Sequence, residues 1–208
     1  FNNDISITNH YHEFCLNLET DAAGNFYFIK GGNLRSATVP HHGCLVKVSA
    51  DGSRLEVVAN GHRAPNGMSV GPEGEITSAD NEGNWVPASR VNLVKRGGFY
   101  GHVYTAHRAK QPTDYDKPLL WLPHQVDNSS GGQIWVTSDR WGPFKGDLLH
   151  LSYGRCRMFK VMRENVGGQP QGGAVQFPLR FDSGIMRGRF NKKDGQLYLV
   201  GLKVWQTS

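Results

Sequence analysis

A chain of 208 residues is long enough for one domain with a substantial core. Its 26 glycines and 10 prolines favour many short strands joined by turns over long helices. The formal charge of +5 comes from 23 lysines and arginines scattered among 18 acids, with no basic run that would track phosphates, so no nucleic-acid partner is expected. No window approaches about 18 apolar residues, which excludes a membrane-spanning helix. Cys15, Cys44 and Cys156 lack CxxC or CxxCH spacing, so no local zinc, redox or haem attachment signature is present. One disulfide plus a free thiol, or three buried thiols, both remain open.

In chain order, Glu13 to Leu18 reads as a strand, the turn Asp21-Ala22-Ala23-Gly24 reverses it, and Asn25 to Ile29 returns. Gly43 to Val48 and Leu55 to Val58 flank an Asp51-Gly52 turn, a strong hairpin signal, and complete a first four-stranded unit. Gly67 to Val70 and Ile76 to Ser78 flank Gly71-Pro72-Glu73-Gly74. The polar loop Asp80 to Asn84 and a strand over Arg90 to Val94 follow. Val103 to Pro118 reads as a surface loop, and Leu119 to Pro123 as the start of the next unit. Strands are expected at Gly132 to Thr137, Asp147 to Ser152 and Arg157 to Val161, with Gly167 to Gly173 a linker or exposed hairpin end. Ile185 to Phe190 and Gln196 to Val200 close the series around a last Asp-Gly turn.

The turns DAAGN, ADGS, GPEGE and KKDGQ recur between apolar strands at the level of pattern, not identity. The class is therefore all-β, and four-stranded propeller blades fit the recurrence; a β-sandwich is the main rival because it uses the same hairpins. At about 40–50 residues per blade the chain supplies roughly four blades of a single propeller domain over 1–208. Beginning at Phe1, without methionine or signal peptide, it reads as trimmed at its ends and as part of a larger propeller.

Several residues carry chemistry by type and place. Arg187 and Arg189 are two apart on a strand and so share a face, where two guanidiniums repel unless they share an anion. A solvated strand face is the other reading. Arg63 precedes Pro65 in a turn and could serve only to stabilise it. Trp85 and Trp141 lie in polar Gly/Pro loops, which makes them substrate-side candidates for stacking, although tryptophan in all-β proteins mostly packs in cores.

The run Gly61-His62-Arg63-Ala64-Pro65-Asn66-Gly67, then Gly71-Pro72-Glu73-Gly74, then Val91-Asn92-Leu93-Val94-Lys95-Arg96-Gly97-Gly98-Phe99-Tyr100-Gly101 resembles the soluble glucose/sorbosone dehydrogenase family. It is most similar to the membrane-bound dehydrogenase type of bacteria, often fused to cytochrome c domains. That resemblance implies a six-bladed β-propeller holding pyrroloquinoline quinone (PQQ) and Ca2+, oxidation of a sugar or alcohol, electrons passed to a cytochrome c domain or protein, and a periplasmic or otherwise exported location. It assigns Arg63, Arg187 and Arg189 to the cofactor, whose three carboxylates and flat quinone suit guanidinium. His12 falls in the register of the family base that takes the hydroxyl proton, with His10 two residues away; a structural histidine is the other reading. Backbone carbonyls of Gly83 and Asn84 fall in the loop that would ligate calcium. Two departures stand out: Ala64 replaces an asparagine, and Gly154 falls where a lysine is expected, with Arg155 displaced by one. They favour the alternative of a non-catalytic propeller that binds carbohydrate or protein, or acts structurally within a larger complex.

Overall fold

Asp-Gly and Pro-Gly turns set the rhythm of the chain. Gly52 and Gly74 take φ of 77° and 83°, a left-handed backbone that L side chains rarely adopt, and each reverses a hairpin. The computed structural model describes residues 1–32, 39–83 and 85–203. Its first sheet runs β1 (Glu19–Thr20), β2 (Phe26–Ile29), β3 (Leu45–Val48) and β4 (Leu55–Ala59). The second is β5 (Gly67–Val70), β6 (Ile76–Asp80), β7 (Ser89–Leu93) and β8 (Leu120–Leu122). The third holds β9 (Ser130–Trp135), β10 (Leu148–Ser152), β11 (Arg157–Val166) and β12 (Gln169–Gln176). Last comes the pair β13 (Gly184–Phe190) and β14 (Leu197–Leu202). Every neighbouring pair is antiparallel and consecutive in sequence.

The apolar residues collect where one sheet faces the next. Tyr27, Ile29, Leu45, Met68 and Tyr100 form a core between the first and second sheets. Ala79, Val91, Leu120, Trp135 and Leu148 do so between the second and third. Ile134, Leu149, Leu151, Met158 and Ile185, with Phe190, Leu197 and Leu199 against them, join the third to the last pair. A sandwich buries one core between two sheets; successive face-to-face interfaces are the packing of a propeller. The first strands of successive sheets meet nearly backbone to backbone. A Cβ on Gly67 would lie 1.9 Å from the Gly131 carbonyl oxygen, and one on Gly131 would lie 2.7 Å from that of Ile185.

The expected strands recur with two differences. Glu13 to Leu18 is not a strand: Ile29 N–H donates to the Asn17 side chain at 2.9 Å, so a carboxamide takes the place of a ladder partner and β1 starts only at Glu19. Leu120–Leu122 pairs with β7 and closes the second sheet instead of opening the third. The Gly167 to Gly173 stretch is the hairpin end, as one of its two readings had it: a turn at Gly167-Gly168 and the start of β12, with Arg163 opposite Gly172 and Val166 opposite Gln169. The cysteines are free, Cys15 exposed and the other two buried.

Candidate functional site

At the end of β6, Asp80 is fully buried and spends its carboxylate on backbone. Oδ2 accepts from Arg63 N–H at 2.7 Å, and Oδ1 accepts from the N–H groups of Ala64 and Asn81 at 2.9 and 2.8 Å. The buried Arg90 guanidinium lies 3.6 Å from Oδ2. These bonds fix the turn before β5, and they leave the Arg63 guanidinium without an ion pair among the described residues. Gly83 lies flat against that side chain: a Cβ there would sit 2.3 Å from Arg63 Cδ.

Arg63 and His12 line one cavity of about 340 Å³, together with the polar or small Ala64, Asn66, Asn81, Ser129, Ser130 and Tyr153 and the apolar Phe14, Leu16, Met186 and Leu202. No acid is among these residues. Burial, then the neighbouring His10 and Arg63, hold the His12 imidazole below its ordinary pKa. Asn66 is the crossing point of the walls. Its Nδ2 donates to the Ser130 carbonyl at 3.0 Å, and its Oδ1 accepts from Arg187 Nη2 at 2.9 Å. The same guanidinium donates to the carbonyls of Leu16 and Met186. Arg187 thus braces three residues of the cavity wall from behind. Burial lowers its pKa to about 10, with Glu19 opposing and Arg189 adding to the shift.

Beneath Ser129 and Ser130 lies a buried network on Asp127. Its Oδ1 accepts from Ser129 N–H at 3.2 Å and Ser152 Oγ at 2.6 Å; its Oδ2 accepts from Ser130 Oγ at 2.7 Å and contacts His150 Nε2 at 2.8 Å. Ser152 bonds the carboxylate and not the imidazole, whose Nδ1 faces Gln133. This arrangement holds a wall; it does not activate a nucleophile.

The residues singled out from sequence are therefore placed unequally. His12 and Arg63 share the cavity and Arg187 adjoins it. Arg189, on the same side of β13, pairs with Glu19 instead. Trp141 packs edge-on to Phe190 at 5.1 Å in the outer core, the other reading given for it, and Trp85 lies 6.4 Å from the Tyr115 ring without lining the cavity. The Gly83 carbonyl accepts from Val86 N–H at 2.7 Å, leaving one lone pair for any cation. Asn84 lies outside the described residues. At Gly154 a Cβ would be 2.0 Å from Asn128 Oδ1 and 2.9 Å from Ser129 Cβ, so a side chain there would require those two neighbouring side chains to shift. Asn66, Asn81, Ser129, Ser130 and Tyr153 were not picked out from the sequence. Asn66 lies in the Gly61 to Gly67 run and Asn81 in the polar loop Asp80 to Asn84, but neither was singled out within them.

Three four-stranded sheets and one strand pair, stacked face to face with their first strands innermost, define a β-propeller fold. Solved structures bear this out. The chain aligns with a glucose dehydrogenase at a TM-score of 0.65 and 20% identity, covering 89% of this chain and 60% of that one. With the soluble aldose sugar dehydrogenase from Escherichia coli in its apo-form the values are 0.64, 17%, 89% and 60%. With the PQQ-bound aldose sugar dehydrogenase from Streptomyces coelicolor they are 0.64, 13%, 88% and 54%. The chain thus spans about 60% of the length of the first two and less of the third. Neither the protein-family models nor the curated sequences match it.

Proposed function

We propose that this chain forms the ligand-facing part of a PQQ-dependent dehydrogenase that oxidises a hydroxyl of a sugar or alcohol. The observation that carries the proposal is the cavity in which His12 and Arg63 meet, with no acid among its described lining residues and Arg187 bonded to its wall. The volume of about 340 Å³ falls at the lower end of small-molecule sites. The donor set suits a flat polyanion: Arg63 has its forked N–H groups uncommitted to any acid among the described residues, and Arg187 holds three of the lining residues, Leu16, Asn66 and Met186. When bound, PQQ supplies the acceptor for a hydride. The apolar Phe14, Leu16, Met186 and Leu202 would help exclude water from the cavity, and Asn66 and Ser129 would orient the substrate's hydroxyls. His12, held neutral at pH 7, would take the hydroxyl proton on its imidazole. Arg189 would join the anion only by exchanging Glu19 for it.

The finer points belong to the same proposal and rest on the sequence resemblance. They are calcium through the Gly83 carbonyl, electron delivery to a cytochrome c domain or protein, the membrane-bound type, and an exported location. Mixing the full chain with PQQ and Ca2+ and following quinone absorbance and dye reduction with sugars and alcohols tests the core of it. Saturable PQQ binding is expected, and Arg63→Ala should weaken it roughly 10- to 150-fold, the loss of a charge-assisted contact of about 1.5–3 kcal/mol. Absence of PQQ binding to the intact chain would overturn the reading. Ala64 and Gly154, where the resemblance expects an asparagine and a lysine, favour a second reading, a carbohydrate- or protein-binding propeller without redox chemistry; sugar binding with no dye reduction would select it.

A further inference from the structure

His12 sits on a loop with little regular structure, and the loop is closed from below by a single carboxylate. Glu13 accepts from Thr8 N–H at 3.0 and 2.8 Å and from Thr8 Oγ1 at 2.5 Å, so its side chain spans the loop from end to end. Within that ring Glu13 N–H donates to the His10 carbonyl at 3.1 Å, His10 N–H donates to Thr8 Oγ1 at 3.3 Å, and His12 N–H donates to His10 Nδ1 at 3.2 Å. The same carboxylate pairs with Lys30 Nζ, whose side chain is 3% exposed and also donates to the Ser6 carbonyl. His42 Nε2 stands 3.1 Å from Glu13 Oε1. On the other side of the loop, Gly31 N–H donates to the Phe14 carbonyl at 2.7 Å, and a Cβ on Gly31 would come within 2.9 Å of the His12 carbonyl oxygen. The Glu13 side chain itself is only 6% exposed. Burial raises its pKa, but hydrogen bonds from Lys30, Thr8 and His42 outweigh this and leave it at about 2, so it is ionised throughout the neutral range.

We infer that Glu13 is a positioning residue for His12: its carboxylate, anchored on Lys30, closes the Thr8–Glu13 loop so that the imidazole two atoms of backbone away is presented to the cavity beside Arg63. The catalytic significance of that position rests on the dehydrogenase reading above; the positioning itself does not. The Glu13 N–H bond to the His10 carbonyl makes His10 to Glu13 a tight turn. Glu13 is held by Lys30 at the end of that turn, while the His12 ring lines the cavity, packed on Tyr11 at 3.9 Å and edge-on to Phe14 at 5.8 Å. A carboxylate that fixes the end of the turn therefore fixes the backbone that carries the ring.

The test follows the His12 ring by two-dimensional NMR in the full chain, assigned with His12→Gln, across a pH titration without PQQ. Wild type should titrate below 6.5. Because Glu13→Gln alone strands Lys30 in the interior, the decisive variant is Glu13→Gln with Lys30→Met, which removes both charges. With the fold intact by circular dichroism, its His12 should titrate at the ordinary histidine value. Thr8→Ala, a milder change to the same ring, should move the titration part of the way. An unchanged His12 titration in the double variant would overturn the inference, and so would an unchanged titration in Thr8→Ala if the double variant does not fold. Loss of the shift in a chain that never binds PQQ would uphold the positioning role while removing the dehydrogenase reading, so the two fail separately.

Discussion

At Gly83 the backbone passes so close to Arg63 that one added methyl group would decide where the guanidinium sits. Gly83→Ala should push the flexible Arg63 side chain aside, because the clash is with Cδ and not with backbone. The expected outcome is PQQ affinity reduced toward that of Arg63→Ala, with a stability change below about 1 kcal/mol, or roughly 2–4 °C in melting midpoint. Calorimetry beside a binding titration checks it; unaltered affinity would show that the Gly83–Arg63 contact sets nothing. Arg63 could be chosen from sequence because it stands at the arginine of the Gly61 to Gly67 run that carries the resemblance; its place before Pro65 alone suggests only a turn-stabilising cation. Its partner could not. A glycine in an acidic loop looks like an ordinary turn until the side chain lying on it is seen. Asn66 and Ser130 escaped notice for a related reason: each is a common turn or strand residue, and their importance lies in what stands opposite them.

Among the elements, β5, β9 and β13 carry the geometry of the site, because their glycines let successive inner strands approach. Gly67→Ala should be severe, since the new Cβ meets the Gly131 carbonyl oxygen at 1.9 Å and backbone cannot swing away. A loss of at least about 3 kcal/mol, or roughly 6–12 °C, is expected in thermal unfolding. A midpoint within about 2 °C of wild type would mean these strands are not packed as described. Most strands were legible from alternation and turn residues. The Glu13 to Leu18 stretch misled because its apolar residues alternate as a strand's would, while Phe14 and Leu16 in fact face the cavity and Asn17 bonds backbone. All of β10, including His150 and Ser152, is buried on both faces, which hydropathy alone would not suggest; Asp127, from outside the strand, satisfies those polar groups.

For the whole molecule, two buried histidines make stability depend on pH. Burial, opposed by Asp80, lowers both His62 and His102 to about 4. The folded state therefore binds fewer protons than the unfolded chain between about 6.5 and 4, and stability present above 6.5 is lost as pH falls through 4. Each group contributes on the order of 3 kcal/mol over that window. Glu13 acts lower, between 4.5 and about 2. Melting midpoints should fall steadily from pH 7 to pH 4.5, before most carboxylates titrate; a flat profile over that range would contradict the burial of both rings.

The sequence by itself determined the all-β class, the position of nearly every turn, and the residue types able to grip an anion or accept a proton, because these depend on neighbours within about ten positions. Tertiary packing alone places His12, Arg63, Asn66 and Ser130 around one cavity with Arg187 bonded to Asn66 and Leu16 of its lining, while Arg189 pairs with Glu19 and Trp141 enters the core. The contact between Arg187 and Leu16 joins residues 171 positions apart. The stacking of whole sheets sets such distances, and local chain propensity carries no record of them.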